Sequence, residues 1–402
     1  MILTFDQALE LLRKEISRAA IHPSVETVPL EQALGRTLAE DPSADRDYPP
    51  FPRSARDGFA VRSADAVAAT VTLRLAGEAR AGGFFEGSVG PGQCVSIMTG
   101  APVPKGADSV VMVEYTRVEG GEVTLLRPAV ALDNIVPQGS EAVAGTRILP
   151  RGKVIGPGAI GLLASIGAAQ VRVFKQPEVA ILPTGDELVP VEAAPRWFEI
   201  RNSNSASLAA QVSLAGGRAR PLPIAPDNEE HIKRRILDGL SSDLLLLSGG
   251  VSAGKYDLVE KILGELGAEF YFDGVAIRPG KPVVFGRVRN KFFFGLPGNP
   301  ISTYVTFQVF AQPVIRVLGG AAFESPLFLS ARLSRAVKRR EGLTAFIPAL
   351  ATRENGEPVV APVAWQGSGD VAGFPAANCF LIVYPDREPP QAGDWVDVML
   401  KM

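Results

Sequence analysis

The 402-residue chain is poor in the residues that staple small folds or bind zinc, with two cysteines, Cys94 and Cys379, and two histidines, His22 and His231. Two thiols make no disulfide framework, and with so few histidines a Cys/His zinc site has no ligand set. Both cysteines are expected as reduced core residues. Neither sign of charge is in excess: 41 Lys and Arg against 43 Asp and Glu leave a net charge of -2. That balance supplies no basic field for nucleic acid and no polybasic patch for a membrane surface. Long apolar runs are also missing. The nearest, Pro300–Leu318, is crossed by Gln308, Gln312 and Arg316, a polar stripe that marks a helix largely buried in a soluble protein. The opening MILTFDQALELLRKEI brings acidic residues at once and no small-residue cleavage site comes after it, so no secretory signal is expected. The chain is therefore expected to be cytoplasmic, with no nucleic-acid or membrane partner. No internal repeat or low-complexity tract is present.

The length suits about two or three domains. Thr4 and Gln7 form a capping box, followed by Phe5, Leu9, Leu12 and Ile16 on one helical face. From about Val71 to Arg147, short β-like runs (VTLRLAG, VSIMTG, SVVMVEYTRV, EVTLLRP) alternate with turns such as GPGQ and EGGE, the texture of a small all-β insertion. ILPRGKVIGPGAIGLLASIG then reads as a turn and a small-residue helix. Between Pro177 and Gly320 strands and helices alternate: EVAILPTG, SNSASLAAQVSLAGG, RARPLPIA, NEEHIKRRILDGL, LLLLSGG, YDLVEKILGELG, PVVFG, FFFGLPGN and a long helix from Pro300. This predicts a parallel sheet with helices on both faces. From about Ala321 the chain returns to strands and turns.

In such a sheet ligands bind beyond the carboxyl ends of the strands. Those ends read Pro183-Thr184-Gly185-Asp186-Glu187, Asp227, Ser248-Gly249-Gly250 with Asp257 a short loop later, Arg278-Pro279-Gly280-Lys281 and Leu296-Pro297-Gly298-Asn299-Pro300. Glycines let backbone N–H groups approach phosphate oxygens. Carboxylates repel phosphate but hold Mg²⁺, which bridges to it. Glycine turns beside Glu187, Asp227 and Asp257 thus point to a Mg²⁺–nucleotide or pyrophosphate ligand. Asp227 and Asp257 taken singly also fit plain helix N-caps, Glu187 a surface residue and Lys281 a snorkelling side chain. PPFPRSARDGFAV, Pro49–Val61, is either a rigid linker with solvated charges or a loop presenting an acid to a site.

PPFPRSARDGFAV, TGAPVPKGADSVVMVE, LPTGDEL, SGGVSAGKYD, RPGKP and LPGNP, in this order, resemble the MoeA/gephyrin family, the molybdenum insertases of molybdenum cofactor biosynthesis. The resemblance runs from about Ala39 to Val398. It implies a multidomain α/β and β protein. A mixed N-terminal domain takes 1–43 plus 143–175, an inserted β-rich domain 44–142, a doubly wound, mostly parallel sheet domain like that of the molybdopterin adenylyltransferases 176–320, and a C-terminal β-barrel 321–402. It implies a homodimer whose active site draws on the insertion of the second subunit, with molybdopterin adenylyltransferase and molybdoenzyme-handling proteins as partners. Adenylylated molybdopterin and molybdate, with Mg²⁺, would give the molybdenum cofactor and AMP.

Carried onto this chain, the family pattern makes Asp57, Glu187, Asp227, Asp257 and Lys281 catalytic. Glu187, Asp227, Asp257 and Glu141 become metal ligands. Thr184, Gly185, Ser248, Gly249, Gly250, Ser252, Gly254, Pro297, Gly298 and Asn299 become binding-turn residues, and Arg278 and Lys281, with the hydroxyls of Ser302 and Ser368, hold the molybdate dianion. Three positions depart from the pattern: Glu141 stands where Asp is usual, Lys255 where an acid is frequent, and Leu343 where arginine is frequent, with Arg339 or Arg340 the expected substitutes. The same fold would also serve a Mg²⁺-dependent nucleotide pyrophosphatase, which needs no molybdate subsite, or a non-catalytic scaffold, which needs no acidic set.

Overall fold

The computed structural model describes residues 2–249 and 258–402. The first helix, Phe5–Arg18, opens with the expected capping box: the Thr4 hydroxyl accepts from the Gln7 backbone at 3.3 Å and the Gln7 amide oxygen from the Thr4 backbone at 3.0 Å. Its buried face is Phe5, Ala8, Leu12 and Ile16. Phe5 meets Phe310 and Phe346 edge-on, at 6.1 and 5.4 Å between ring centres, so this helix joins the α/β core to the C-terminal unit.

The α/β sheet runs in the order Arg218–Pro221, Glu178–Pro183, Leu244–Ser248, Lys291–Leu296, Val284–Val288, Glu269–Phe272. The first four strands are parallel. The leucine run lies between two of them and is buried on both faces. Leu244 and Leu246 enter the core that contains Phe5 and the long helix, while Leu245 and Leu247 enter the one beneath Ile232 and Ile236. The far edge supplies the antiparallel part of the mostly parallel sheet. Val284–Val288 and Lys291–Leu296 form an antiparallel hairpin, and its connecting Arg289 and Asn290 both have positive φ, 47° and 65°. Such a turn matches the twist of paired strands. The run Glu269–Phe272, not singled out in the sequence, adds the last strand antiparallel to Val284–Val288.

The long helix has three parts: Pro300–Thr306, a π-helical turn Phe307–Ala311, and Gln312–Leu318. Pro313 explains the interruption, because its ring nitrogen has no proton to donate and its ring crowds the preceding turn. Gln308 of the polar stripe is buried and donates to the Leu400 carbonyl at 2.6 Å, so the stripe faces the C-terminal unit. No helix among the described residues is long and apolar enough to cross a membrane.

That C-terminal unit is a closed five-stranded barrel, Thr344–Glu354, Glu357–Pro362, Leu329–Leu333, Trp395–Leu400 and Cys379–Val383, the last pairing back onto the first. The short strand Ile277–Arg278 is stitched to it through Thr344 and Ala345. Both cysteines are buried and free, and desolvation pushes each thiol up to about 11.

The inserted unit is a six-stranded sheet, and here the linker reading of PPFPRSARDGFAV is corrected. Gly58–Val61 is a fully buried strand between Ser109–Met112 and Gln93–Ile97. A Cβ on Gly58 would lie 2.0 Å from the Val111 carbonyl oxygen, so the glycine after Asp57 serves close strand packing and is not a turn residue. Asp57 sits at the end of a rigid strand.

Because Leu246 is wholly buried between sheet and helices, Leu246→Ala is expected to cost about 2–5 kcal/mol in denaturant unfolding. Leu214→Ala, at a position 66% exposed, is expected to cost about 0.5 kcal/mol or less.

Candidate active site

A cavity of about 1120 Å³ opens at the carboxyl ends of the parallel strands. Thr184, Gly185 and Glu187 reach it from the first strand end, Asp227 from the second, and Ser248 and Gly249 from the leucine strand. Arg278, Lys281, Pro297, Gly298, Asn299 and Ser302 complete the wall on the α/β side, and Ser368 comes from the barrel unit. Nearly every strand-end residue read from the sequence therefore meets in one place. Gly250, Ser252, Gly254, Lys255 and Asp257 lie outside the described residues. Asp57 and Glu141 belong to the inserted unit and are not among the described residues that line the cavity.

The turn after the leucines is tight for a physical reason. Gly249 has φ +94°, and a Cβ there would come within 2.6 Å of the Thr184 carbonyl oxygen. The turns after the first and third strands therefore pack backbone to backbone: the Thr184 amide donates to the Ser248 carbonyl at 3.1 Å and the Gly249 amide to the Leu296 carbonyl at 3.2 Å. Thr184 Oγ1 is buried without a partner among the described residues, a polar atom left for a ligand or water.

Asp227 is not an N-cap. That role falls to Asn228, whose side chain accepts from the His231 amide at 3.2 Å. The Asp227 backbone instead donates to Asp186 Oδ1 at 3.0 Å, bringing two acids together. Burial against the cavity wall, then repulsion from Asp186, hold the Asp227 carboxyl above its ordinary value although the residue reaches solvent. A desolvated carboxylate beside another suits a cation. No group of three acidic, histidine or cysteine side chains forms a metal cage among the described residues, and Mg²⁺ needs none, since it takes one or two carboxylates and fills its sphere with phosphate and water. The donors fit Mg²⁺ in that mode.

Cations stand apart from these acids. Among the described residues, the side chains of Arg278 and Lys281 make no ion pair or hydrogen bond, so their charge is free for an anion. Leu343 lines the cavity as an apolar residue. Neither expected substitute does so among the described residues, and Arg339 Nη1 donates to the Arg387 carbonyl at 3.0 Å. That expectation is corrected: Arg339 is spent on the barrel's own loops.

Asn204 is the functional residue that sequence reasoning passed over. Its Nδ2 donates to Ser248 Oγ at 3.0 Å and to the Gly298 carbonyl at 2.7 Å, clasping the two glycine turns. Its only signal was the polar NSNS start of a helix, read there as helix and nothing more. Asn299 makes the matching link outward, donating to Ser368 Oγ at 2.9 Å, while Ile301 N–H donates to the Ser368 carbonyl at 3.0 Å. In the inserted unit, Asp57 accepts from the Thr99 amide at 2.7 Å and the Thr99 hydroxyl at 2.9 Å, which hold its carboxyl below its ordinary value. Glu141 pairs with Arg53 at 2.9 Å.

Fold and site together define a class, an α/β domain with a cavity at its strand ends joined to an inserted sheet and a closed β-barrel. Residues 180–317 match the model of the probable molybdopterin binding domain, residues 3–167 the MoeA N-terminal region (domain I and II), and residues 330–401 the MoeA C-terminal region (domain IV). Molybdopterin molybdenumtransferases of Bacillus subtilis (strain 168) and Haemophilus influenzae (strain Rd) are 36% and 34% identical, covering 93% and 99% of this chain and 89% and 98% of theirs. The crystal structure of the molybdopterin biosynthesis MoeA protein from Pyrococcus horikoshii OT3 superposes over the whole of both chains with a TM-score of 0.79 at 29% identity. The chain belongs to the MoeA family.

The raised Asp227 value has a consequence for stability. An acid whose folded value exceeds its unfolded one stabilises the protein at low pH and loses that contribution as pH rises through the folded value. Asp227→Asn is therefore expected to raise the melting temperature of the metal-free protein at neutral pH, with the gain shrinking toward acid pH, and to remove the stabilisation that Mg²⁺ gives the parent. Equal melting at every pH would contradict the electrostatic account.

Proposed function

We propose that the protein is a molybdopterin molybdenumtransferase, inserting molybdenum from molybdate into molybdopterin. The observation that carries the reading is a single cavity lined by the acids Glu187 and Asp227, by glycine turns, and by Arg278 and Lys281, whose side chains have no partner among the described residues, in a chain alike over its whole length to proteins of that name. In this reading molybdopterin arrives adenylylated and AMP leaves.

The Ser248 hydroxyl, which accepts from Asn204 Nδ2 and so keeps its proton to donate, and the buried Thr184 hydroxyl line the seam where the phosphoanhydride would lie, and Asn204 fixes the Ser248–Gly249 turn against the one at Gly298. Glu187 and Asp227, with Asp257, would hold Mg²⁺, which when bound would supply positive charge to the phosphoanhydride oxygens and so favour cleavage. Arg278 and Lys281 take the molybdate dianion on the opposite wall, with the hydroxyls of Ser302 and Ser368 beside them. Separating the two sets of charge keeps oxyanion and carboxylates from repelling one another, and it places the dithiolene sulfurs against molybdate while the anhydride is cut.

Asp57 lies at a strand end of the inserted unit, away from its own chain's cavity, which suits an acid offered to the second subunit of a homodimer. Glu141 is assigned to the metal only through that subunit, in competition with Arg53. The four-domain division at 43/44, 142/143, 175/176 and 320/321, the cytoplasmic setting and the partnership with an adenylyltransferase that supplies the substrate belong to the same proposal. A pyrophosphatase would leave Arg278 and Lys281 without an anion to hold, and a scaffold would leave Asp227 an uncompensated cost, so neither alternative is favoured.

The test is AMP release from adenylylated molybdopterin with Mg²⁺, with and without molybdate. Release should depend on molybdate, and Lys281→Ala should lower the molybdate-dependent rate by about 10²-fold. Release indifferent to molybdate would convert the assignment to a pyrophosphatase.

A further inference from the structure

The cavity holds a third cation to which the family pattern gives no part. Arg201 lines the wall together with Leu188 and Ile200. The short strands Leu188–Val189 and Ile200–Arg201 pair in parallel, tied by the Ile200 amide to the Glu187 carbonyl at 2.8 Å and the Asn202 amide to the Val189 carbonyl at 2.9 Å. The residues between them form a strap closed at its base on the cavity wall. Arg201 Nε donates back to the Ala193 carbonyl of the strap at 3.0 Å, fixing the guanidinium plane. Its two Nη nitrogens have no partner among the described residues.

The next three residues tie Arg201 to the glycine turns. Asn202 caps the helix Ser203–Leu214, accepting from the Ser205 amide at 3.1 Å. Asn204, in the first turn of that helix, is the residue that clasps Ser248 and Gly298. Arg201 thus lies three residues before the side chain that clasps the turns, and its guanidinium fork, without a partner at Nη among the described residues, belongs to the same cavity lining as Ser248 and Gly249. Thr184 Oγ1, buried and without a partner among the described residues, lines the same cavity. A guanidinium held at Nε presents its Nη protons as a fork matching two phosphate oxygens, and the helix start adds positive partial charge.

We propose that Arg201 binds the phosphate of the nucleotide portion of the substrate and keeps it bound as the phosphoanhydride is cut. The inference rests on the nucleotide part of the proposed transferase function. It makes Arg201 a phosphate-binding residue distinct from Arg278 and Lys281, which hold the other oxyanion. Cleavage adds a water oxygen to one phosphorus as the P–O–P bond breaks and its proton is released to solvent, so AMP gains negative phosphate charge that a cation already paired to it favours.

Calorimetric titration of the full-length protein with AMP, and in parallel with adenosine, both in Mg²⁺, tests it. Arg201→Ala should weaken AMP binding about tenfold to a hundredfold, leave the affinity for adenosine unchanged, and leave melting temperature and oligomeric mass as in the parent. Arg201→Lys should recover part of the loss, because it keeps the charge without the fork. AMP binding equal to the parent in Arg201→Ala would overturn the proposal. So would parallel losses for AMP and adenosine, or a change in oligomeric mass, which would make Arg201 an interface residue. Failure of the transferase reading registers elsewhere, as molybdate-independent AMP release by the parent, and would leave Arg201 as a nucleotide-phosphate ligand.

Discussion

A strand buried on both faces can do chemistry only at its end. Leu244 to Leu247 are fully buried, alternating between two cores, and the backbone polar groups of this strand are consumed by parallel neighbours on either side. Everything functional in the α/β unit is consequently displaced to the carboxyl edge. Gly249 lets that edge close up, since no side chain fits against the Thr184 carbonyl. With the turns packed backbone to backbone, their amides bond to neighbouring carbonyls, and the small hydroxyls of Thr184 and Ser248 line the cavity together with charged side chains from other elements.

The margins are sorted by charge. Asp186 meets Asp227 where the first and second strands end, with Glu187 next in sequence to Asp186, and burial and then repulsion from Asp186 disfavour the ionised form of Asp227. Arg278 and Lys281 stand at the side where the short strand Ile277–Arg278 is stitched to the barrel, and Arg201 stands on the strap. In water such groups would pair and cancel. With the groups on separate elements, Asp227 keeps an electrostatic cost that a metal bridged to phosphate can relieve, while the cations remain available to oxyanions. The barrel enters through contacts of the same kind, with Ser368 bonded to Asn299 and the backbone of Ile301.

Most of this was legible in the sequence because it depends on period and position. Alternating strands and helices give the sheet, and the residues just after each strand give the cavity wall. What escaped depended on contacts distant in sequence. Gly58 looked like half of an Asp-Gly turn, and only the Val111 carbonyl against it shows a central strand. Asn204 looked like a helix residue, because its partners at Ser248 and Gly298 lie far along the chain. The hairpin at Arg289-Asn290 uses two residues at positive φ without a glycine, so no turn signal announced it. Arg339 was offered as a substitute for a missing cation on nearness in sequence to Leu343, whereas its bond to the Arg387 carbonyl directs it to the barrel. For Asp227 the sequence left a plain N-cap open beside the metal-ligand reading, and Asn228 holds the cap position while Asp227 lines the cavity.

The central claim is that one cavity keeps two anions on opposite walls. It is tested most directly by a crystal structure of the protein with AMP, Mg²⁺ and tungstate, the last a heavy stand-in for molybdate. The account predicts the AMP phosphorus against the Ser248–Gly249 turn and a separate tungsten peak between Arg278 and Lys281. Tungsten bound elsewhere, or both anions competing for a single position, would contradict it.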